Sequence, residues 1–136
     1  GGIMAFGVAT VLTNKGKALW AERARTTPAT YTTAPKWIGV GTGATGAART
    51  AVAADTALST EVETRAVGTE SMVTTTQTGD TYQSLGTVSI TGTRAIDESG
   101  LFDALTVGNM ATSATLNVIN LLSGDSLQLT WKVQIT

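Results

Sequence analysis

The chain contains neither cysteine nor histidine. The first absence excludes disulfides and thiolate metal sites. The second removes the commonest metal ligand and the commonest general base at neutral pH. Charge is scarce as well: nine Lys and Arg stand against ten Asp and Glu, 14% of 136 residues, for a net charge of −1. With no cationic surplus to neutralise phosphates, nucleic acid is not an expected partner. No apolar run reaches the roughly 18–20 residues that a membrane-crossing helix needs, so a membrane is not expected either.

What is present is Thr, Ser, Gly and Ala. A soluble monomer usually shows a surface about 25–35% charged. A surface of small, neutral side chains repels its neighbours weakly and suits a subunit packed among others. The length fits one domain, 1–136, able to bury roughly two-thirds of its unfolded surface without metal or disulfide. Gly1-Gly2-Ile3 before Met4 reads as an expression scar. The apolar stretch Ala5 to Leu12 lacks the basic segment that precedes a signal peptide core.

Thr13 or Asn14 can cap a helix over 13–25, with Leu12, Leu19, Trp20 and Ala24 as a partly apolar stripe and Arg23 and Arg25 at the C-terminal end. Pro28 lies beyond it, and Gly16 weakens it by about 1 kcal/mol relative to Ala. Pro35 opens a short strand, Lys36 to Val40. The Gly-, Ala- and Thr-rich stretch 41–60 reads as a long loop with a helical turn near Val52 to Leu58. A loop of that length and low charge is expected to contact a partner.

From Thr60 onward the pattern is β. Strands are expected at Glu61 to Val67, Ser71 to Gln77 and Thr81 to Thr91, the last with Leu85, Val88 and Ile90 inward and Gly86 at a bulge. Two short extended pieces follow, Arg94 to Ile96 and Gly100 to Leu105, and then Met110 to Asn120. In the closing segment Leu127, Leu129, Trp131, Val133 and Ile135 alternate strictly with polar residues, so one face is buried. Short strands separated by Gly-Asp and Gly-Asn turns predict a mainly β fold, an antiparallel sandwich with one short N-terminal helix.

Few constellations suggest chemistry. Gly41-Thr42-Gly43-Ala44-Thr45-Gly46 spells G-x-G-x-x-G after a strand, but a dinucleotide fingerprint needs a parallel βαβ unit, and the following strands read as antiparallel. A Gly/Thr loop is the simpler reading. Glu61 with Glu63, and Asp97-Glu98 with Asp103, are the carboxylate groups. Glu61 and Glu63 would share a strand face and could serve as acid and base or hold a hard cation. The plainer reading makes all of these solvated edge and turn residues, paired with Arg65 or Arg94. Serines have no His partner and no nucleophile elbow. No enzyme activity, metal or cofactor is expected. Trp131 belongs in the core, whereas Trp20 sits on a helix that a monomer need not fully cover.

Two stretches carry a resemblance, the first of them in two parts. Leu12-Thr13-Asn14-Lys15-Gly16-Lys17-Ala18-Leu19 is followed after a spacer by Ile38-Gly39-Val40-Gly41-Thr42-Gly43; the second is Ala95-Ile96-Asp97-Glu98-Ser99-Gly100-Leu101-Phe102-Asp103-Ala104. In that order, and with a closing Gly124-Asp125-Ser126-Leu127-Gln128-Leu129-Thr130, they resemble the N-terminal domain of phage tail-collar and tail-fibre proteins and related small virion proteins. The motifs are structural, and they bring no catalytic residue. Gly100 would allow a turn before Leu101 and Phe102 go inward, Asp103 would bond the next turn, and Gly41 and Gly43 would let the chain leave its strand sharply.

The resemblance implies a structural protein of a tailed-phage virion, made in the host bacterial cytoplasm and placed in the tail or fibre-attachment region. Other virion proteins would be its partners, and it would self-assemble, by analogy as a trimer. With no shaft following Thr136, an adaptor, a tail component or a capsid decoration (cement) subunit is the expected form. Trp20, Trp37, Gly41, Thr42 and Gly43 are the candidate interface residues; Ile96, Glu98, Gly100, Leu101, Phe102 and Asp103 form the structural motif. The rival from another class is a carbohydrate-binding sandwich stacking sugars on Trp20 or Trp37. A third reading, an enzyme, would rest on Glu61 and Glu98.

Overall fold

The computed structural model describes residues 7–25, 27, 30–43 and 51–135. Its elements run β1 (Gly7–Leu12), α1 (Asn14–Arg23), β2 (Trp37–Thr42), β3 (Thr60–Val67), β4 (Thr69–Val73), β5 (Thr81–Ser89), β6 (Arg94–Phe102), β7 (Met110–Leu121) and β8 (Ser126–Gln134). All strand pairs are antiparallel. They form a five-stranded sheet, β1-β7-β6-β2-β3, and a three-stranded sheet, β4-β5-β8. Ile38, Val40, Ile96 and Leu101 from the first meet Val88, Leu127, Leu129 and Trp131 from the second in one core. The fold is therefore the mainly β, antiparallel, sandwich-like arrangement with one short helix that the alternation predicts.

β8 shows how the pattern becomes structure. Leu127, Leu129 and Trp131 are buried while Ser126, Gln128 and Lys132 are exposed. The indole Nε1–H of Trp131 donates to Ser99 Oγ at 3.2 Å, and that hydroxyl donates to the Gly39 carbonyl at 2.8 Å. The buried polar groups thus pair with each other across the sheets. Burial does not follow the alternation to its end: Val133 is half-buried and Ile135 is 60% exposed. Ile135 lies past Gln134, the last residue paired with β5.

Elsewhere the boundaries differ for identifiable reasons. The two short pieces expected after Thr91 are one strand, β6, because Asp97 and Glu98 are buried within the sheet and not solvated at a turn. Gly100 lies mid-strand and makes no turn; Leu101 faces the core and Phe102 the opposite side. β4 stops at Val73 because the Asp80 carboxylate captures the next amides, those of Thr75, Thr76 and Gln77. In β5 the inward residues are Ser84, Gly86 and Val88, and buried Ile90 keeps the phase just past its end. Leu85 lies in the other phase, and Gly86 pairs without a bulge. A Cβ on Gly86 would stand 3.1 Å from Ile38 of the facing sheet, so the glycine accommodates that side chain. The helical turn near Val52 to Leu58 is instead a lone turn, with Asp55 N–H donating to the Val52 carbonyl. β1, absent from the sequence reading, is an edge strand on β7.

Two glycines settle how the layers join. β3 passes from the first sheet into β4 of the second through Gly68, a strand switching sheets at a corner. A Cβ there would lie 1.8 Å from Ser84 Oγ and 2.7 Å from the Lys36 carbonyl. Gly16 of α1 sits on β7, where a Cβ would lie 2.0 Å from the Ala111 carbonyl. Buried Thr13 caps the helix by accepting the Gly16 N–H, and its hydroxyl faces the Met110 and Ala111 carbonyls. Leu19 is fully buried, and Trp20 meets Tyr82 of β5 edge-on at 5.7 Å, so α1 bridges the two sheets.

Candidate functional site

The outer face of the five-stranded sheet is built by two of the sequence motifs acting together. β2 and β6 lie side by side with Trp37 opposite Phe102, Gly39 opposite Gly100 and Gly41 opposite Glu98. Each glycine leaves a gap that a neighbour fills. A Cβ on Gly39 would be 2.9 Å from the Phe102 ring, on Gly41 2.4 Å from Glu98 Oε1, and on Gly100 2.9 Å from Met110 Sδ. Phe102, Met110 and Leu58, with half-buried Trp37 against them, make a second small core on this face. Glu98 is enclosed, and its Oε1 accepts the Thr60 N–H at 2.9 Å.

Arg65 organises the rest. Its Nε and Nη2 donate to the two Glu61 carboxylate oxygens at 2.7 and 3.0 Å. Its Nη1 donates to the carbonyls of Ala104 and Val107 at 2.8 and 2.7 Å. The guanidinium lies 3.5 Å from the Phe102 ring centroid, a cation–π contact in a buried setting. The planar fork thus fastens the loop between β6 and β7 onto β3. At the base of that loop Asp103 accepts the Asn109 backbone N–H at 2.7 Å and the Asn109 side-chain amide at 2.9 Å. At its tip Leu105 is 49% exposed and Val107 is 84% exposed.

Two backbone outliers flank the same spot. Val107 has φ +57° and Glu63 has φ +65°; no other non-glycine residue described has positive φ. For a β-branched residue that conformation is strained. Glu63 lies in a bulge of β3, where Ile38 pairs with Ala66 but Val40 pairs with Val62. Its carboxylate receives Arg94 Nε at 2.7 Å, with Thr91 N–H and Oγ1 at 3.0 and 2.9 Å. Desolvation pushes the Glu63 carboxyl upward, but the bonds from Arg94 and Thr91 outweigh it and hold it below the usual range. Between the bulge at Glu61–Arg65 and the loop tip at 105–107 lies an open depression of about 390 Å³.

The arrangement closes its charges in pairs, Glu61 with Arg65 and Glu63 with Arg94. What it offers outward is two aliphatic side chains held rigidly beside a hollow. Among the described residues no group of three acidic side chains is placed to hold a metal ion.

The sequence-derived candidates are distributed unevenly around this site. Phe102, Gly100, Glu98 and Asp103 build its support, while Ile96 and Leu101 are core residues on the other side of the sheet. Gly41 is buried inside β2, Trp37 and Thr42 are half-buried, and Gly43, with φ +92°, carries the exit from the strand alone. Trp37 has the Lys36 ammonium 5.0 Å from its ring centroid, and half-buried Trp20 lies against Tyr82. Of the 41–60 stretch, residues 44–50, and with them the end of the G-x-G-x-x-G motif, lie outside the described residues, as do Gly1 to Met4. The described remainder packs on its own domain: Ala51 N–H donates to Thr115 Oγ1, Asn14 N–H donates to the Ala53 carbonyl, and Leu58 is buried. Arg65 as the hub and Val107 as the exposed tip were not found from sequence. The one usable signal was an arginine in a strand facing the carboxylate two turns of pleat earlier. Comparison with family models, with curated proteins and with solved structures returned no match for this chain.

Proposed function

We propose that the protein is a non-enzymatic structural subunit of a tailed-phage virion, in the tail or fibre-attachment region, made in the host cytoplasm and incorporated by contact with other virion proteins. The observation that carries the reading is the joint role of the motifs. The Ile38–Gly43 and Ile96–Asp103 stretches, on which the resemblance rests, pair in register and support a loop clamped by Arg65. That loop presents Leu105 and Val107 at the cost of backbone strain. A rigid apolar tip loses little entropy on docking, which is what an assembly contact needs.

The test is to purify particles from a lysate of the strain carrying the gene and label them with gold-conjugated antibody to the protein. Label at the tail or its fibre base supports the reading. Label over the head selects the decoration-protein form of it. A protein absent from purified particles by mass spectrometry is not a virion component. Val107→Asp should lower incorporation without unfolding the subunit, since the side chain points to solvent.

A further inference from the structure

Among the described residues each sheet has two free edges, and three of the four are short or interrupted. β1 pairs with β7 through a register shift at Gly7 and Ala9. β3 carries the bulge at Glu63. β4 is five residues long. β8 is different: its nine residues pair one-to-one with β5, and among the described residues no strand lies on its other side. Such an edge presents a row of unpaired N–H and C=O groups, a template for another strand. Long edges are usually blunted by bulges, proline or several charges. β8 has none of the first two and a single charge, Lys132.

We propose that β8 pairs antiparallel with β8 of a second copy of this chain about a two-fold axis at Thr130, joining two three-stranded sheets into one of six strands. The register follows from the sequence. Full overlap of the nine-residue strand sets Ser126 opposite Gln134 of the second copy and Thr130 opposite itself. Residues directly opposite share a face, so Leu129 meets Trp131, and Leu127 meets Val133, on the core side. On the other face Lys132 meets Gln128 of the second copy, and the two lysines stay apart. Moving the axis one residue along, a relative slide of two, would set Trp131 on it and shorten the overlap; one step further, a slide of four, would set Lys132 against Lys132. The overlap therefore selects the register centred on Thr130, and the charge pattern is compatible with it. The contact is isologous and closes as a dimer. It stands independently of the virion reading and departs from the trimer that the resemblance implies.

The experiment is sedimentation velocity from micromolar to millimolar concentration on the wild-type chain, Gln128→Lys and Gln128→Glu. Position 128 is exposed, so the monomer fold should be unchanged, and circular dichroism checks that it is. The wild type should show a monomer–dimer equilibrium. By symmetry Gln128→Lys creates two facing lysine pairs and should raise the dissociation constant by up to roughly thirtyfold. Gln128→Glu creates two opposite-charge pairs and should lower it several-fold. Hydrogen exchange on the wild type needs no substitution: β8 amides should gain protection as concentration rises. A monomer at every concentration, a trimer, a dimer indifferent to both substitutions, or β8 exchange independent of concentration would each overturn the proposal.

Discussion

At the scale of single residues the informative positions are those where the backbone or a charge is held against its preference. Val107 keeps a β-branched side chain at φ +57°, a conformation that costs about 1–2 kcal/mol. Glycine would relieve it, offset by roughly 0.5–1 kcal/mol of extra chain entropy when unfolded. Val107→Gly should therefore raise stability by up to about 1 kcal/mol, read from the urea midpoint, while lowering incorporation into particles. A strained residue of purely structural value would not show that opposition. Arg65→Lys tests the clamp: an ammonium cannot hold both Glu61 oxygens and two carbonyls at once, so a loss of about 2–4 kcal/mol is expected. Asp80 tests the acid limb. Amides of Gln77 and Thr75 lower its carboxyl pKa most; desolvation opposes them, and the Thr81 hydroxyl and Thr76 amide lower it further, leaving it well below the usual range. The fold therefore favours the ionised form. Its contribution is complete above about pH 4, where the unfolded group has also ionised, and is lost as pH falls through the folded value. Asp80→Asn should flatten the fall of melting temperature below about pH 4, and an unchanged slope would mean that Asp80 is not a source of acid sensitivity.

At the scale of elements, what was legible in the sequence was whatever depends on period and local chemistry. The alternation from Leu127 to Trp131 located β8 and its buried face, and a capping Thr13 located α1 within two residues at either end. What was not legible depends on partners distant in sequence. β1 is a strand because Leu12 stands opposite Thr112, and Arg65 is a hub because a loop some forty residues on returns across Gly39. The described part of the 41–60 stretch adds contacts the sequence did not foretell: Ala51 bonds Thr115 and Leu58 is buried, both against the chain's own sheet. Gly16 shows local and distant effects in conflict. Ala at that position gains about 1 kcal/mol of helix propensity. The same Cβ would lie 2.0 Å from the Ala111 carbonyl, forcing the helix off β7. Overpacking against backbone costs typically 1–3 kcal/mol or more, and here it also endangers the buried Thr13 cap. Gly16→Ala should therefore lower stability by about 1–2 kcal/mol net, measured by thermal unfolding; a gain would mean that the helix stands further from the sheet than described.

At the scale of the molecule, the five-stranded sheet is wider than its three-stranded partner, and α1 links their unequal layers. The segment at 7–23 does three things at once. β1 covers the far edge of β7, Thr13 and Gly16 hold the helix against the Ala111 backbone, Leu19 is buried and Trp20 reaches Tyr82. The contacts of the cap and helix join residues from 62 positions apart, Trp20 with Tyr82, to 98, Thr13 with Ala111, so they form only when most of the chain is already ordered, and folding should be slow for the size, milliseconds to seconds. Burial of Leu19 is worth about 2 kcal/mol and the partial burial of Trp20 about as much again. Adding the cap and the β1 ladder brings the segment's share to the order of a whole domain's net stability, about 5–15 kcal/mol. Removal of residues 1–25 should then not leave a trimmed sandwich. It should leave a chain that exposes β7 as a new edge, binds a hydrophobic dye, and melts without a cooperative transition. If that shortened chain still unfolds cooperatively with an unchanged β spectrum, the two sheets are self-sufficient and α1 is an attachment to them. If it does not, the helix is an integral third wall of the sandwich, and Trp20 belongs to the core that holds the layers together.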